Sequence, residues 1–258
     1  MKFQQDGDDI SLVDCHATIS CYSRYHGLVS ARILGYLPDN AIFMKTKRRF
    51  GAFITFEGGE GSGKTTQIPY LAQYLRSVGC PVLVTKEPGG TRSGRAIRSI
   101  LLKNTTNPID SRCELFLYLA DRAQHITEVV RPALEAGKIV ICDRHADATM
   151  AYQAFGRKLN LKFIATLNHF ATGGLKPALT FLLDQPPEVG LARCRNRELM
   201  NRLDLEELTF HRRVRRGYRK LARSDSERIR VIDAKQTPEK VEAAIQRYAQ
   251  QFFKEQLH

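Results

Sequence analysis

FITFEGGEGSGKTTQ, residues 53–67, decides how this chain is read. A short apolar strand runs into Gly58, Gly59, Glu60, Gly61, Ser62, Gly63, Lys64 and Thr65, which satisfy G-x-x-x-x-G-K-[ST] at every position. Thr66 and a helical pattern over 65–78 follow at once. Glycines allow the backbone to wrap closely, so that successive N–H groups and the positive helix start face an anion. In such a loop Lys64 reaches the β- and γ-phosphates of ATP and Thr65 ligates Mg²⁺. Pro69 falls inside the helix and removes one backbone donor without touching the loop.

Working outward, further apolar runs occur at PVLVT (81–85), KIVIC (138–142), LTFLL (179–183) and IRVI (229–232). Helical patterns separate them, notably over 114–134 and 205–223. Continuous rather than alternating apolar strands imply burial on both faces. The expected fold is therefore an α/β P-loop NTPase: a five-stranded parallel sheet, helices on both faces, ligand at the strands' carboxyl ends. The third strand ends in Asp143, the place of a Walker B carboxylate that meets Mg²⁺ or its waters. Alone, it also reads as a turn aspartate, but beside a complete phosphate loop the Walker B reading is preferred.

Composition narrows the partners. The net charge of +13 divides unevenly. Residues 1–43 hold Lys2, Arg24 and Arg32 against Asp6, Asp8, Asp9, Asp14 and Asp39, so they carry −2 and the remainder +15. That favours anionic partners, whether nucleotide, nucleic acid or membrane surface. Six scattered cysteines suit a reducing compartment, and no apolar run has the length of a membrane span, so a cytoplasmic enzyme without a membrane partner is expected. Residues 1–50 read as a loosely ordered N-terminal extension, with Met44 as a candidate natural start, and 51–258 as one domain. Within the extension, Cys15, His16, Cys21 and His26 match no standard zinc spacing, and chance clustering is the preferred reading.

Beyond the phosphate loop, six segments carry a resemblance: FEGGEGSGKTTQ, KEPGGTRSGRAIR, LYLADRAQH, DRHADATMAYQAFGR, LTFLLDQPPEVGLAR and GYRKLA. In this order they are similar to the thymidylate kinases, which convert dTMP to dTDP. The resemblance implies Mg-ATP as donor and dTMP as acceptor. By position it assigns Glu60 to the sugar 3′-hydroxyl, Tyr118 to stacking on thymine and Arg122 to a thymine edge. Arg144 is implied to hold the acceptor phosphate, and Thr149, Tyr152 and Gln153 to line the nucleoside site, Tyr152 disfavouring ribonucleotides. Gly89 and Gly90 would turn near the acceptor phosphate, with Lys86 standing where arginine is frequent.

An arginine-rich mobile lid is implied around residues 192–216. With glycine at 61, the bacterial subtype is resembled, in which a lid arginine is catalytic. The candidates are Arg193, Arg195, Arg197 and Arg202, with Arg195 and Arg202 placed beside Lys64, Asp143 and Arg144 in the catalytic set. The segment VIDAKQTPEKV is implied to lie on the ATP adenine. Asn201, Ala148, Ala154 and Phe155 depart from the family pattern, and Phe155 is bulky enough to reshape the nucleoside pocket. A homodimer is implied, with no specific nucleic-acid partner. Two alternatives stay open: a kinase for another nucleoside monophosphate, and a P-loop ATPase or nucleic-acid-binding regulator. The guanine-reading N-K-x-D is absent from the sequence.

Overall fold

Five apolar runs become five strands: β1 (Phe53–Glu57), β2 (Val82–Lys86), β3 (Ile139–Asp143), β4 (Leu179–Asp184) and β5 (Ile229–Asp233). They form one parallel sheet in the order β2-β3-β1-β4-β5. The computed structural model describes residues 51–104, 108–195 and 200–256. The N-terminal extension, with its candidate zinc set and Met44, lies outside the described residues, as does Arg197.

The central strands are buried along their length, whereas β2 and β5 are part exposed, as their edge positions require. The chain leaves β1 towards β3 and β2 on one side and reaches β4 and β5 on the other. That reversal opens a crevice beyond the carboxyl end of β1, where Glu57, Asp143 and Asp184 terminate neighbouring strands.

The described residues hold nine α-helices: α1 (Lys64–Ser77), α2 (Arg92–Leu102), α3 (Ser111–His125), α4 (Arg131–Glu135), α5 (Ala146–Thr149), α6 (Leu161–Thr172), α7 (Pro187–Arg195), α8 (Leu208–Ser224) and α9 (Pro238–Glu255). One core layer joins Ile54, Phe56 and Phe181 to Leu71 and Leu75 of α1 and Ile245 and Phe253 of α9. A second joins Leu182 and Ile229 to Tyr152 and to Phe210, Val214 and Tyr218 of α8. The pattern over 114–134 becomes one rod, α3 to α4, joined by a π-helical stretch at Ile126–Val130. A second π-helical stretch, Met150–Gly156, extends α5.

That second stretch settles the place of Phe155. It is not among the side chains lining the cleft described below. It lies against Gly217 of α8, where an added Cβ would come within 2.6 Å of the Phe155 ring. The large residue in one helix is accommodated by the absent side chain in the other. Gly217→Ala is expected to lower stability by about 1–3 kcal/mol through overpacking. Chemical denaturation checks this, and an unchanged midpoint would contradict the fit.

Candidate active site

The loop between β1 and α1 has the conformation its glycines predict. Gly58, Gly61 and Gly63 take φ of 142°, 65° and 91°, a region costly for other residues. At Gly61 the fit is also tight, because a Cβ would strike the carbonyl of Gly190 in α7. The start of α1 has no side-chain cap, unlike α2, α3 and α6, which Thr91, Asp110 and Asn160 cap. Its amides are thus left for an anion. Lys64 is buried, and its Nζ donates to Gly58 O and Gly59 O at 3.2 Å and to Ser62 Oγ at 3.3 Å. Burial and the neighbouring Arg144 lower its pKa, while Asp143, Glu60 and Glu57 oppose them.

Thr65 and Thr66 are exposed at the helix start, and Asp143 Oδ1 is buried without a hydrogen-bond partner. A hydroxyl and an orphaned carboxylate oxygen beside a phosphate loop fit Mg²⁺ and its waters. The segment VIDAKQTPEKV lies next to the same helix, since Gln67 Nε2 donates to Pro238 O at 3.0 Å.

Arg144 follows β3 with φ of 69°, a left-handed conformation rare for a non-glycine residue. That backbone turns its guanidinium onto the loop. Nη1 donates to Gly58 O at 3.0 Å and Tyr218 Oη at 3.3 Å, and Nη2 pairs with Glu60 Oε1 at 2.8 Å. Tyr152 Oη donates to the same Glu60 oxygen at 2.7 Å. Although burial raises the Glu60 pKa, Arg144, Lys64 and the Tyr152 hydroxyl hold it down to about 2.

Arg144 also lines a cleft with Tyr118, Arg122, Ala148, Thr149, Tyr152 and Gln153, together with Glu87 and Leu203. Residues drawn from α3, α5 and the π-helical stretch thus meet in one cleft. Arg122 is 2% exposed, and its donors are almost fully committed. Nε pairs with Glu87 at 2.9 Å, Nη1 donates to Thr149 Oγ1 and Asn168 Oδ1 at 2.9 and 2.7 Å, and Nη2 donates to His145 O at 3.0 Å. A guanidinium has five N–H bonds, so one remains for a ligand.

The lid candidates separate. Arg193 donates to Gln185 Oε1 at 3.0 Å and reaches Gly61 O at 3.4 Å. Arg195 is exposed at the end of α7. Arg202 pairs with buried Glu114 and donates to Leu101 O at 3.0 Å, and Gln153 and Arg157 share that carboxylate. Asn201, in place of aspartate, forms a local turn through Asp204 and the Leu203 amide.

An uncapped phosphate loop and a separate cleft thus share Arg144. A family model for thymidylate kinase matches residues 56–245. The chain belongs to the thymidylate kinase family. The thymidylate kinase of Desulfovibrio desulfuricans is 54% identical over 196 residues, covering 73% of this chain and 90% of that protein. That of a Synechococcus strain is 51% identical over 193 residues, covering 75% and 91%. The crystal structure of thymidylate kinase from Ehrlichia chaffeensis is similar with a TM-score of 0.63 and 33% identity, covering 78% of this chain and 99% of that one.

Several polar residues of this thymidylate kinase site escape sequence reasoning: Glu57, Glu87, Glu114, His125, His145, Asn168 and Tyr218. Their one local signal is a polar side chain ending an apolar strand, as at Glu57 and Glu87. Glu57 accepts from His145 N and Tyr218 Oη, both at 2.8 Å. Burial and the Asp147 carboxylate push it up to about 8, against the pull of Arg144 and those two hydrogen bonds. The stability it contributes is full below its ordinary 4.5 and is lost as pH rises through about 8. Glu57→Gln copies the protonated acid, accepting from His145 N and donating to Tyr218. Between about pH 5 and about pH 9 the melting temperature of the variant should rise relative to wild type, by about 2–4 °C per kcal/mol. A difference independent of pH would contradict a protonated Glu57.

Proposed function

We propose that this chain transfers the γ-phosphoryl group of Mg-ATP to dTMP, giving dTDP and ADP. The observation that carries the reading is the placing of Arg144 between an uncapped phosphate loop and the cleft holding Tyr118 and Arg122. ATP phosphates lie along the loop amides and Lys64. The dTMP base stacks on Tyr118, a contact of about 1–3 kcal/mol, and its edge takes the remaining Arg122 N–H. Glu60 and Tyr152 meet the sugar, while Thr149 and Gln153 line its pocket. Arg144 receives the acceptor phosphate, already an anion that needs no strong base. Thr65 and Asp143 would hold Mg²⁺, which would supply positive charge against the phosphates. The remaining catalysis is positioning and charge stabilisation, with lid residues such as Arg195 closing over the γ-phosphate and excluding water.

ADP formation with dTMP, dUMP, dCMP, dGMP and AMP in parallel tests the acceptor. Preference for dTMP supports this reading, and faster turnover of another monophosphate favours the neighbouring kinase activity. The nucleic-acid reading loses ground because several α8 cations are engaged within the chain: Arg212 with Glu188, Arg215 with Asp184, and Arg213 with Gly156 O.

Two further features extend the proposal. The mutually packed helices α3 and α6 expose Phe116, Phe163 and Phe170, apolar area that a homodimer would cover. Light scattering at twice the monomer mass is expected, and a monomer at micromolar concentration would contradict it. A cytoplasmic location accords with Cys142, a buried thiol donating to Arg144 O at 3.1 Å. No helix among the described residues is long and apolar enough to cross a membrane.

A further inference from the structure

At the back of the cleft, whose lining includes Glu87 and Arg122, lies a buried polar cluster. Glu87, at the end of β2, accepts from three side chains of distant segments: Arg122 Nε at 2.9 Å, His125 Nδ1 at 2.8 Å and His145 Nδ1 at 3.0 Å. Neighbouring His145 and Arg122 charges and the two imidazole hydrogen bonds hold the Glu87 carboxyl well below the usual range despite its burial. An ionised carboxylate only accepts, so both Nδ1 atoms carry hydrogen. Thr85 Oγ1 lies 2.7 Å from the far nitrogen of His125 and completes its bonding. Both histidines are fully buried and Glu87 nearly so, so losing one partner leaves a buried polar group unpaired, which is costly.

His145 joins this cluster to the phosphate end. Its N–H donates to Glu57 at 2.8 Å, its carbonyl accepts from Arg122 Nη2 at 3.0 Å, and it directly follows Arg144. The arginine at the base end and the arginine at the phosphate end are therefore tied through one residue and one carboxylate. We propose that Glu87 and His145 are positioning residues that fix the spacing between Arg122 and Arg144, and so set recognition of the acceptor nucleotide. The inference rests on the reading above, in which those two arginines hold the base and phosphate of dTMP.

The substitutions follow from donor and acceptor counting. Glu87→Gln leaves one acceptor oxygen for three donors, so its amide hydrogens must oppose either Arg122 or the imidazoles. Glu87→Asp keeps the buried charge but withdraws it by one methylene. His145→Ala deletes the imidazole bond to Glu87 and keeps the backbone bonds to Glu57 and Arg122, whereas His145→Asn places an amide N–H close to the position of Nδ1–H. Steady-state kinetics with dTMP and with ATP, each varied at saturating partner, separates positioning from general damage.

Glu87→Gln, Glu87→Asp and His145→Ala are expected to raise KM for dTMP by about 10- to 100-fold. KM for ATP should stay within about twofold, and the preference for dTMP over dCMP should shrink. His145→Asn should recover most of the loss. If Glu87→Gln does not fold, Glu87→Asp and the His145 pair decide. The inference is overturned if KM for dTMP stays within about twofold of wild type, if both KM values rise together, or if His145→Asn behaves like His145→Ala. Should the wild-type chain prefer another monophosphate, the function reading fails, and the same comparison is scored with that acceptor.

Discussion

Lys64→Met is expected to lower kcat for phosphoryl transfer by about 10²–10³-fold, the loss typical of removing one preorganised charge donor. Methionine keeps the length of the buried stem, so the loss isolates Nζ. In the wild-type chain that ammonium lies among the carbonyls of Gly58 and Gly59 and the Ser62 hydroxyl. These oxygens aim it across the loop, where phosphate charge gathers. Pre-steady-state measurement of the chemical step checks the prediction. A rate within about threefold of wild type would remove Lys64 from the catalytic set.

Arg144 is the second position of large effect. Arg144→Ala and Arg144→Gly should each lower kcat/KM for dTMP by about 10²–10³-fold, because both remove the donor fork that we propose meets the acceptor phosphate. Their stabilities should differ. At φ of 69° alanine keeps the left-handed backbone cost and glycine relieves it, so the glycine variant should be more stable by about 1–2 kcal/mol. Arg144→Lys should restore the charge without the fork and recover only part of the activity. Calorimetry of dTMP binding and thermal melts of the three variants separate these effects. Undiminished dTMP binding in Arg144→Ala would contradict the assignment.

Much of the fold could be read from the sequence because its signals are contiguous. Each strand is an unbroken apolar run, and the phosphate loop is eight successive residues whose glycines announce their own φ values. Tyr118 and Arg122 stand one helical turn apart, so their shared face also follows from spacing. What escaped is non-local. Glu87 meets Arg122, His125 and His145 from 35, 38 and 58 residues away, and no local pattern marks that convergence. The π-helical stretches break the regular period on which helix reading depends. Phe155 belongs to one of them, and its packing on Gly217 shows why bulk alone does not tell which face a residue occupies. Arg202 likewise gives no hint in sequence that Glu114 holds it, since the two are 88 residues apart.

The central claim is that this site moves a phosphoryl group from ATP to a thymidine monophosphate held between Arg122 and Arg144. The most direct test incubates the full chain with γ-labelled ATP, Mg²⁺ and dTMP and follows where the label goes. The account predicts label in dTDP at a rate far above its release as inorganic phosphate, with release rising in Arg144→Ala. Label accumulating as inorganic phosphate at a rate indifferent to dTMP would contradict it.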